Sequence, residues 1–303
     1  MPSVQKRRII EKKRKREGRG RVYLAAVVLI IIAVAVGWYV YSAATTPRPD
    51  FTVAAPTGVT ILAGTPTNSI ITITAVNQFS GTVLLTAKGS TGLTATISPT
   101  SVTGSGTATL TTSAVANGSY TVTVNATSGG LVHFVTPRVA TPIYARLITS
   151  DGTIDVELYP ATAPKTVANF VSLAQSGFYT NLTWHRVVKG FVIQTGDPTS
   201  KNAGGDNSTW GQHGSSQTVP LEIDSSVQNL AGSLGMARST DPNSGSSQFY
   251  INLADNHSLD GNYTVFGKVT AGMNVALTMG NVPVYPQSSQ PINPVFLTSV
   301  TIR

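Results

Sequence analysis

The chain contains no cysteine in 303 residues. Disulfide staples, thiol nucleophiles and thiolate zinc sites are excluded, so stability must come from packing alone. Charge is scarce as well: 11% of residues are Asp, Glu, Lys or Arg, where a quarter is usual. Combined with 41% hydrophobic residues that alternate with Thr and Ser, this is the composition of ordered strands rather than of a solvated coil. Between Asp50 and Asp151 no acidic residue occurs and His133 is the only histidine. That stretch cannot assemble a carboxylate pair or a metal cluster. The length predicts two domains.

The net charge of +8 is concentrated at one end. Residues 1–21 hold ten Lys and Arg with Glu11 and Glu17, leaving eleven basic and eleven acidic residues over 22–303. A neutral remainder offers no broad footprint for phosphates, so the sequence predicts no nucleic-acid partner. Residues 22–43 follow the basic run with no charge, and Tyr23, Trp38, Tyr39 and Tyr41 lie towards their ends. This predicts a transmembrane helix in contact with the lipid bilayer. The basic tail would then be cytoplasmic and the rest extracytoplasmic, a single-pass protein of the cell membrane. The alternative is a cleaved signal peptide and a secreted product, with Ser42 and Ala44 as the small residues of the cleavage site.

Residues 44–50 form a Pro-containing linker. From residue 51 to about 140, short runs such as Ile70 to Thr74, Thr82 to Thr86 and Tyr120 to Val124 are punctuated by Gly and Pro every eight to twelve residues or so, predicting an antiparallel sandwich. In composition this unit resembles the immunoglobulin-like modules of secreted and cell-surface proteins, which implies a spacer or a binding module. Near Pro142 the composition changes, and residues 141–303 form a second domain. Pro164 just inside and Gly177 just beyond an apolar-periodic run (Val167, Phe170, Val171, Ala174) predict one helix. A shorter helix is predicted over 273–279. Strands are predicted over 145–148, 153–158, 190–194, 248–252 and 265–269.

Several motifs of this second domain stand in order: Trp184-His185-Arg186 leading through Gly190-Phe191-Val192-Ile193-Gln194 to Asp197, then Gly235-Met236-Ala237-Arg238, Ser246-Ser247-Gln248-Phe249-Tyr250, Leu259-Asp260-Gly261 and Val265-Phe266-Gly267-Lys268-Val269. With Leu158-Tyr159-Pro160 and Asn169-Phe170 they resemble the cyclophilin peptidyl-prolyl isomerases from about residue 143 to 303. The resemblance implies an eight-stranded antiparallel β-barrel capped by two helices, with a proline pocket on its outer face. The whole chain is then mainly β: a transmembrane helix, an immunoglobulin-like sandwich and the barrel.

The residues themselves suit that chemistry. Rotation about an X-Pro bond breaks amide resonance against a barrier of about 18–20 kcal/mol, and it needs no nucleophile, metal or cofactor. It needs an apolar seat for the pyrrolidine ring and a donor that favours the twisted amide, whose nitrogen has become basic. Arg186, always charged and rich in donors, fits that role. By the resemblance, Gln194 and Gln248 orient Arg186 and bind peptide backbone. Phe191, Val192, Tyr250 and Leu259 line the proline pocket, and Ala237 and Arg238 contact the residue before proline. Val192, Arg238, Tyr250 and Tyr263 replace the family's commonest Met, Asn, Phe and His, and Ser258 stands where many members carry Trp. These changes bear on substrate preference and on binding of the family's cyclic-peptide inhibitor at the same pocket. His185 reads as a core residue. Asn256 and Asn262, two of six Asn-x-Ser/Thr sequons, flank Leu259 and are expected to stay unglycosylated in an active enzyme.

The expected function is a membrane-anchored isomerase that helps secreted or surface proteins fold, acting on proline-containing clients. The alternative, drawn from the altered pocket walls, is a non-catalytic proline-peptide-binding or adhesion module.

Overall fold

The computed structural model describes residues 27–41, 47–204 and 206–303. These divide into two compact units: residues 27–41, 47–50 and 76–78 fall in one, and the described residues of 51–75 and 79–303 in the other. In the first unit, α1 covers residues 27–41.

The expected transmembrane helix over residues 22–43 is not borne out: among the described residues no helix is long and apolar enough to cross a membrane. The bilayer contact and the single-pass, extracytoplasmic placement that follow from it fall with it. The basic run 1–21, residues 22–26 and the cleavage positions Ser42 and Ala44 lie outside the described residues.

The larger unit is mainly β. One sheet pairs β1 (Asp50–Ala54), β3 (Thr67–Val76), β7 (Gly106–Ala114) and β5 (Leu93–Ser98) in that order. A second runs β2 (Gly58–Thr60), β10 (Arg138–Ala140), β8 (Ser119–Ser128), β4 (Thr82–Gly89) and β6 (Ser101–Thr103), with β9 (Leu131–Val135) also on β8. Alternation puts Ile71 and Ile73 of β3, Leu110 of β7, Val83 of β4 and Val122 and Val124 of β8 into one core between the sheets, while the intervening Thr residues face outward. The pairing of β2 with β10 is parallel, an exception to the antiparallel expectation.

Only Thr141 and Pro142 separate β10 from β11 (Ile143–Thr149), and both are buried. Thr141 N donates to Gly118 O, and Gly118 N donates to Thr141 Oγ1, each at 3.0 Å. The Thr57 hydroxyl donates to the Asp224 carboxylate, and Gly58 lies against the backbone of Ala161 so closely that a Cβ would meet it at 2.7 Å. The sandwich thus packs directly on the loops of the next sheet.

That sheet runs β13 (Leu182–Thr183), β19 (Phe296–Ile302), β11, β12 (Gly152–Leu158), β18 (Val265–Ala271), β16 (Ser233–Met236), β17 (Phe249–Asn252), β15 (Val192–Thr195) and β14 (Arg186–Val188), antiparallel throughout. Its two end strands, β13 and β14, are one stretch of chain broken only at Trp184 and His185. Counted as one bent strand they close nine strands into an eight-stranded barrel. α2 (Pro164–Gln175) opens with Pro at its first turn, its first free N–H groups donating to the Glu222 carboxylate from Lys165 N and Thr166 N, and Gly177 follows its end at φ +74°. α3 (Met273–Met279) starts after Gly272.

Phe170 of α2 carries the barrel core. It is fully buried against Tyr179, Phe249 and Phe266, with ring centroids 5.2–5.5 Å apart, edge-on to Phe249 and tilted to the other two. Phe170→Ala is expected to lower the unfolding free energy by about 3–5 kcal/mol, seen as a lower urea midpoint. A loss under about 1 kcal/mol would mean that the cluster collapses around the gap.

Candidate active site

The strand register assembles the site. Arg186 pairs with Gln194 across β14–β15, Gln194 with Tyr250 across β15–β17, and Tyr250 with Gly235 across β17–β16. These four residues form one lateral row on the barrel's outer face, while Val187 and Ile193 beside them point into the core. Gly235 is required there, because a Cβ would collide with the Tyr250 ring lying over it.

Nine of the ten residues singled out in the sequence, Arg186, Gln194, Ala237 and Arg238 on the polar side and Phe191, Val192, Tyr250, Leu259 and Tyr263 on the apolar side, line one cavity of about 230 Å³. The tenth, Gln248, lines an adjoining polar cavity of about 360 Å³ that shares Gln194, Ala237 and Arg238. They come from several elements: Arg186 from β14, Phe191 from the β14–β15 turn, Val192 and Gln194 from β15, Tyr250 from β17, Leu259 from a 3₁₀ turn over His257–Leu259 and Tyr263 from the approach to β18.

Arg186 Nη1 donates to Gln194 Oε1 at 3.5 Å, Gln194 Nε2 to Gln248 Oε1 at 2.9 Å, and Gln248 Nε2 to the carbonyls of Gly211 and His213 at 3.0 and 2.6 Å. The relay ends on a loop that is itself pinned from below. Asp197 is fully buried, and its Oδ2 accepts from Gly211 N at 2.7 Å and His213 N at 3.0 Å, while Oδ1 accepts from the backbone and hydroxyl of Thr199. The Arg186 guanidinium also stands 5.8 Å from the centre of the Phe191 ring.

The Tyr250 hydroxyl passes through the pocket wall and donates to Asn229 Oδ1 at 2.8 Å, and Asn229 is held by Asp260 Oδ1 through its backbone N–H and its amide. Burial pushes the Tyr250 phenol far up, so it stays neutral. Tyr263 meets Tyr250 edge-on at 6.0 Å, and the Arg238 guanidinium sits 4.8 Å over the Tyr263 ring.

His185 is 3% exposed, and neither ring nitrogen has a partner of full hydrogen-bond geometry. Burial pushes its pKa down to about 4, partly offset by the Asp197 carboxylate and the Gln248 amide. It is neutral near pH 7 and contributes packing. Asn256 is buried, its amide donating to Phe191 O and held against Asn252 Oδ1, so a sugar has no access to it. Among the described residues no group of three or more His, Asp or Glu stands together as a metal site.

Asp197 and Asn229 are the residues that the sequence reading passed over. For Asp197 a signal was present: Asp197-Pro198-Thr199 is an N-cap followed by Pro at the first helical position. Asn229 lies in an irregular loop and carries no such mark.

Residues 144–302, more than half of the chain, match the family model described as cyclophilin type peptidyl-prolyl cis-trans isomerase/CLD. Peptidyl-prolyl cis-trans isomerase-like 1 of Aspergillus niger is 46% identical over 135 residues, which are 44% of this chain and 79% of that protein. Peptidylprolyl isomerase domain and WD repeat-containing protein 1 of mouse (Mus musculus) is 38% identical over 156 residues, 51% of this chain and 23% of that much longer protein. A crystal structure of a Cryptosporidium parvum cyclophilin type isomerase, determined in the presence of the dipeptide Ala-Pro, is 33% identical with a TM-score of 0.46, covering 53% of this chain and 98% of that one. The chain belongs to the cyclophilin type peptidyl-prolyl cis-trans isomerase family.

The Asp197 carboxyl is pushed up by its burial, but the bonds from Thr199, His213 and Gly211 outweigh this and hold it below the usual range. A carboxyl so depressed contributes stability that is complete above its unfolded pKa and lost as pH falls through the folded value. Asp197→Asn is therefore expected to cost about 1–3 kcal/mol at neutral pH and to flatten the fall of the urea midpoint below about pH 4. Parent and variant midpoints falling in parallel through that window would contradict the assignment.

Proposed function

We propose that this chain is a working prolyl isomerase, with Arg186 as its catalytic group and the cavity of about 230 Å³ as the seat of the substrate proline. The observation that carries this reading is the Arg186–Gln194–Gln248 relay beside that cavity. Phe191, Val192, Tyr250 and Leu259 exclude water from the pyrrolidine ring, and burial of the ring supplies binding that is the same for either isomer. Differential binding comes from Arg186. As the amide twists, conjugation is lost and the lone pair localises on the prolyl nitrogen, where it can accept from a guanidinium N–H while another holds the preceding carbonyl. No bond is made or broken, and no cofactor is needed.

Gln194 fixes the guanidinium by accepting from Nη1, so orientation is settled before the substrate arrives. Proline-containing segments of polypeptides are the substrate class, as for the family. Residues 141–303 form the isomerase domain in this reading, and residues 51–140 an immunoglobulin-like spacer. The two-layer arrangement and the absence of acidic side chains between Asp50 and Asp151 support the spacer role.

Arg186→Ala in the full chain is expected to lower kcat/KM on a short X-Pro peptide by roughly 10²–10³-fold, measured by NMR exchange, with little change in melting temperature because Arg186 is half-exposed. Unchanged turnover would refute the role of Arg186. Peptide binding by the parent without acceleration would favour a non-catalytic proline-recognition module, the reading to which the altered walls at Val192, Arg238 and Tyr263 point.

A further inference from the structure

Beyond the proline cavity, across Ala237, lies the larger polar cavity, and its chemistry is one-sided. Its walls carry Gln212, His213, Ser239, Ser244 and Ser246 together with Arg238, and no Asp or Glu lines it or the proline cavity. Arg238 is the charged wall common to both. Its guanidinium is held in place: Nε donates to Asn262 O at 2.9 Å, Nη1 to Ser239 O at 2.9 Å and Thr240 O at 3.4 Å, and the plane sits over Tyr263. All those partners are neutral. Among the described residues Arg238 makes no ion pair and its Nη2 has no acceptor.

The acidic groups nearby are engaged elsewhere. Asp241, in the same loop, accepts from Asn243 N; Asp260 holds Asn229 and His257; Asp197, behind His213, is buried under four hydrogen bonds. A fixed, partly exposed cation with no acidic side chain paired to it, set at the mouth of a polar cavity beside the reacting bond, favours a negative partner from the ligand. Holding Arg238 in advance removes part of the side-chain entropy that usually makes such pairs weak.

We propose that Arg238 is a specificity-determining residue that selects proline segments with an acidic side chain on the N-terminal side of the proline, seated in the polar cavity. This rests on the proposed isomerase reading and on the place that the family resemblance gives Ala237 and Arg238, beside the residue before proline. A carboxylate and a phosphorylated serine share the required chemistry.

The test uses the full chain and four peptides that differ only at the residue immediately before proline: Glu, phosphoserine, Gln and Lys. Both exchange rate by NMR and Kd by fluorescence anisotropy are measured, for the parent, Arg238→Gln and Arg238→Lys. The expected result is a preference for Glu over Lys of about fivefold, the upper range of a partly exposed pair, lost in Arg238→Gln, partly kept in Arg238→Lys and weakened by salt. Phosphoserine exceeding Glu would assign the doubly charged group as the better ligand, and Glu exceeding phosphoserine the carboxylate. Both confirm anion selection.

Equal values for Glu and Lys in the parent, with all peptides turned over, would overturn the selectivity and leave the isomerase reading intact. The same preference in Arg238→Gln would transfer it to another group and overturn the role of Arg238. Binding with charge preference but no exchange would refute catalysis and keep the selection. No binding of any peptide would refute both.

Discussion

A carboxylate with no access to water must have its charge answered by the protein, and the position of the candidate site follows from how that demand is met at Asp197. Its oxygens take up Thr199 and the N–H groups of Gly211 and His213. With their N–H groups turned inward, the carbonyls of the same two residues are presented to Gln248. An amide has one acceptor and one donor end, so fixing Nε2 on those carbonyls leaves Oε1 for Gln194, and the same logic fixes Gln194 towards Arg186. The orientation of each member is decided by the one before it. Loss of the buried charge would release a loop, and through the loop the guanidinium.

The relay is rigid because three of its members stand on or beside neighbouring strands. Arg186, Gln194 and Gln248 belong to β14, β15 and the approach to β17, whose opposite faces are anchored by Val187, Ile193 and Phe249 in the aromatic core. Residues on strands keep their geometry better than residues on loops. The loop members are the exception, and they are the ones tied down by a charge. Gly196 makes this possible at the turn out of β15: it adopts φ +102° and passes so near Ser247 O that no side chain would fit.

Much of this was legible in the residues. The two helices of the second domain carry their own punctuation, Pro164 early and Gly177 late for α2 and a short apolar run for α3, and the alternation of Ile71 and Ile73 with Thr announces a two-faced strand. The ordered motifs from Trp184 to Val269 bring nine residues to one cavity although they come from strands, turns and loops far apart in sequence. What was not legible depends on the meeting of distant loops. The parallel pairing of β2 with β10 joins strands almost eighty residues apart, and the support of Tyr250 by Asn229 has no local pattern. The apolar run over residues 22–43 is a different case: composition fixes how apolar a segment is, and among the described residues no helix is long and apolar enough to cross a membrane.

The replaced wall residues are best understood together. Tyr250 lies on Gly235 and reaches Asn229 with the hydroxyl that a Phe would lack; Tyr263 meets the Tyr250 ring edge-on; Arg238 stacks on the far face of the same group and takes the carbonyl of Asn262. A His in place of Tyr263 would offer Arg238 a smaller and chargeable platform, and an Asn in place of Arg238 would leave the Tyr263 face open. Three of the four departures thus form one stack, each supplying the surface on which the next rests. Residues coupled in this way contribute as a unit rather than by independent increments. Changing one back to its commoner counterpart removes a support without restoring the arrangement it came from.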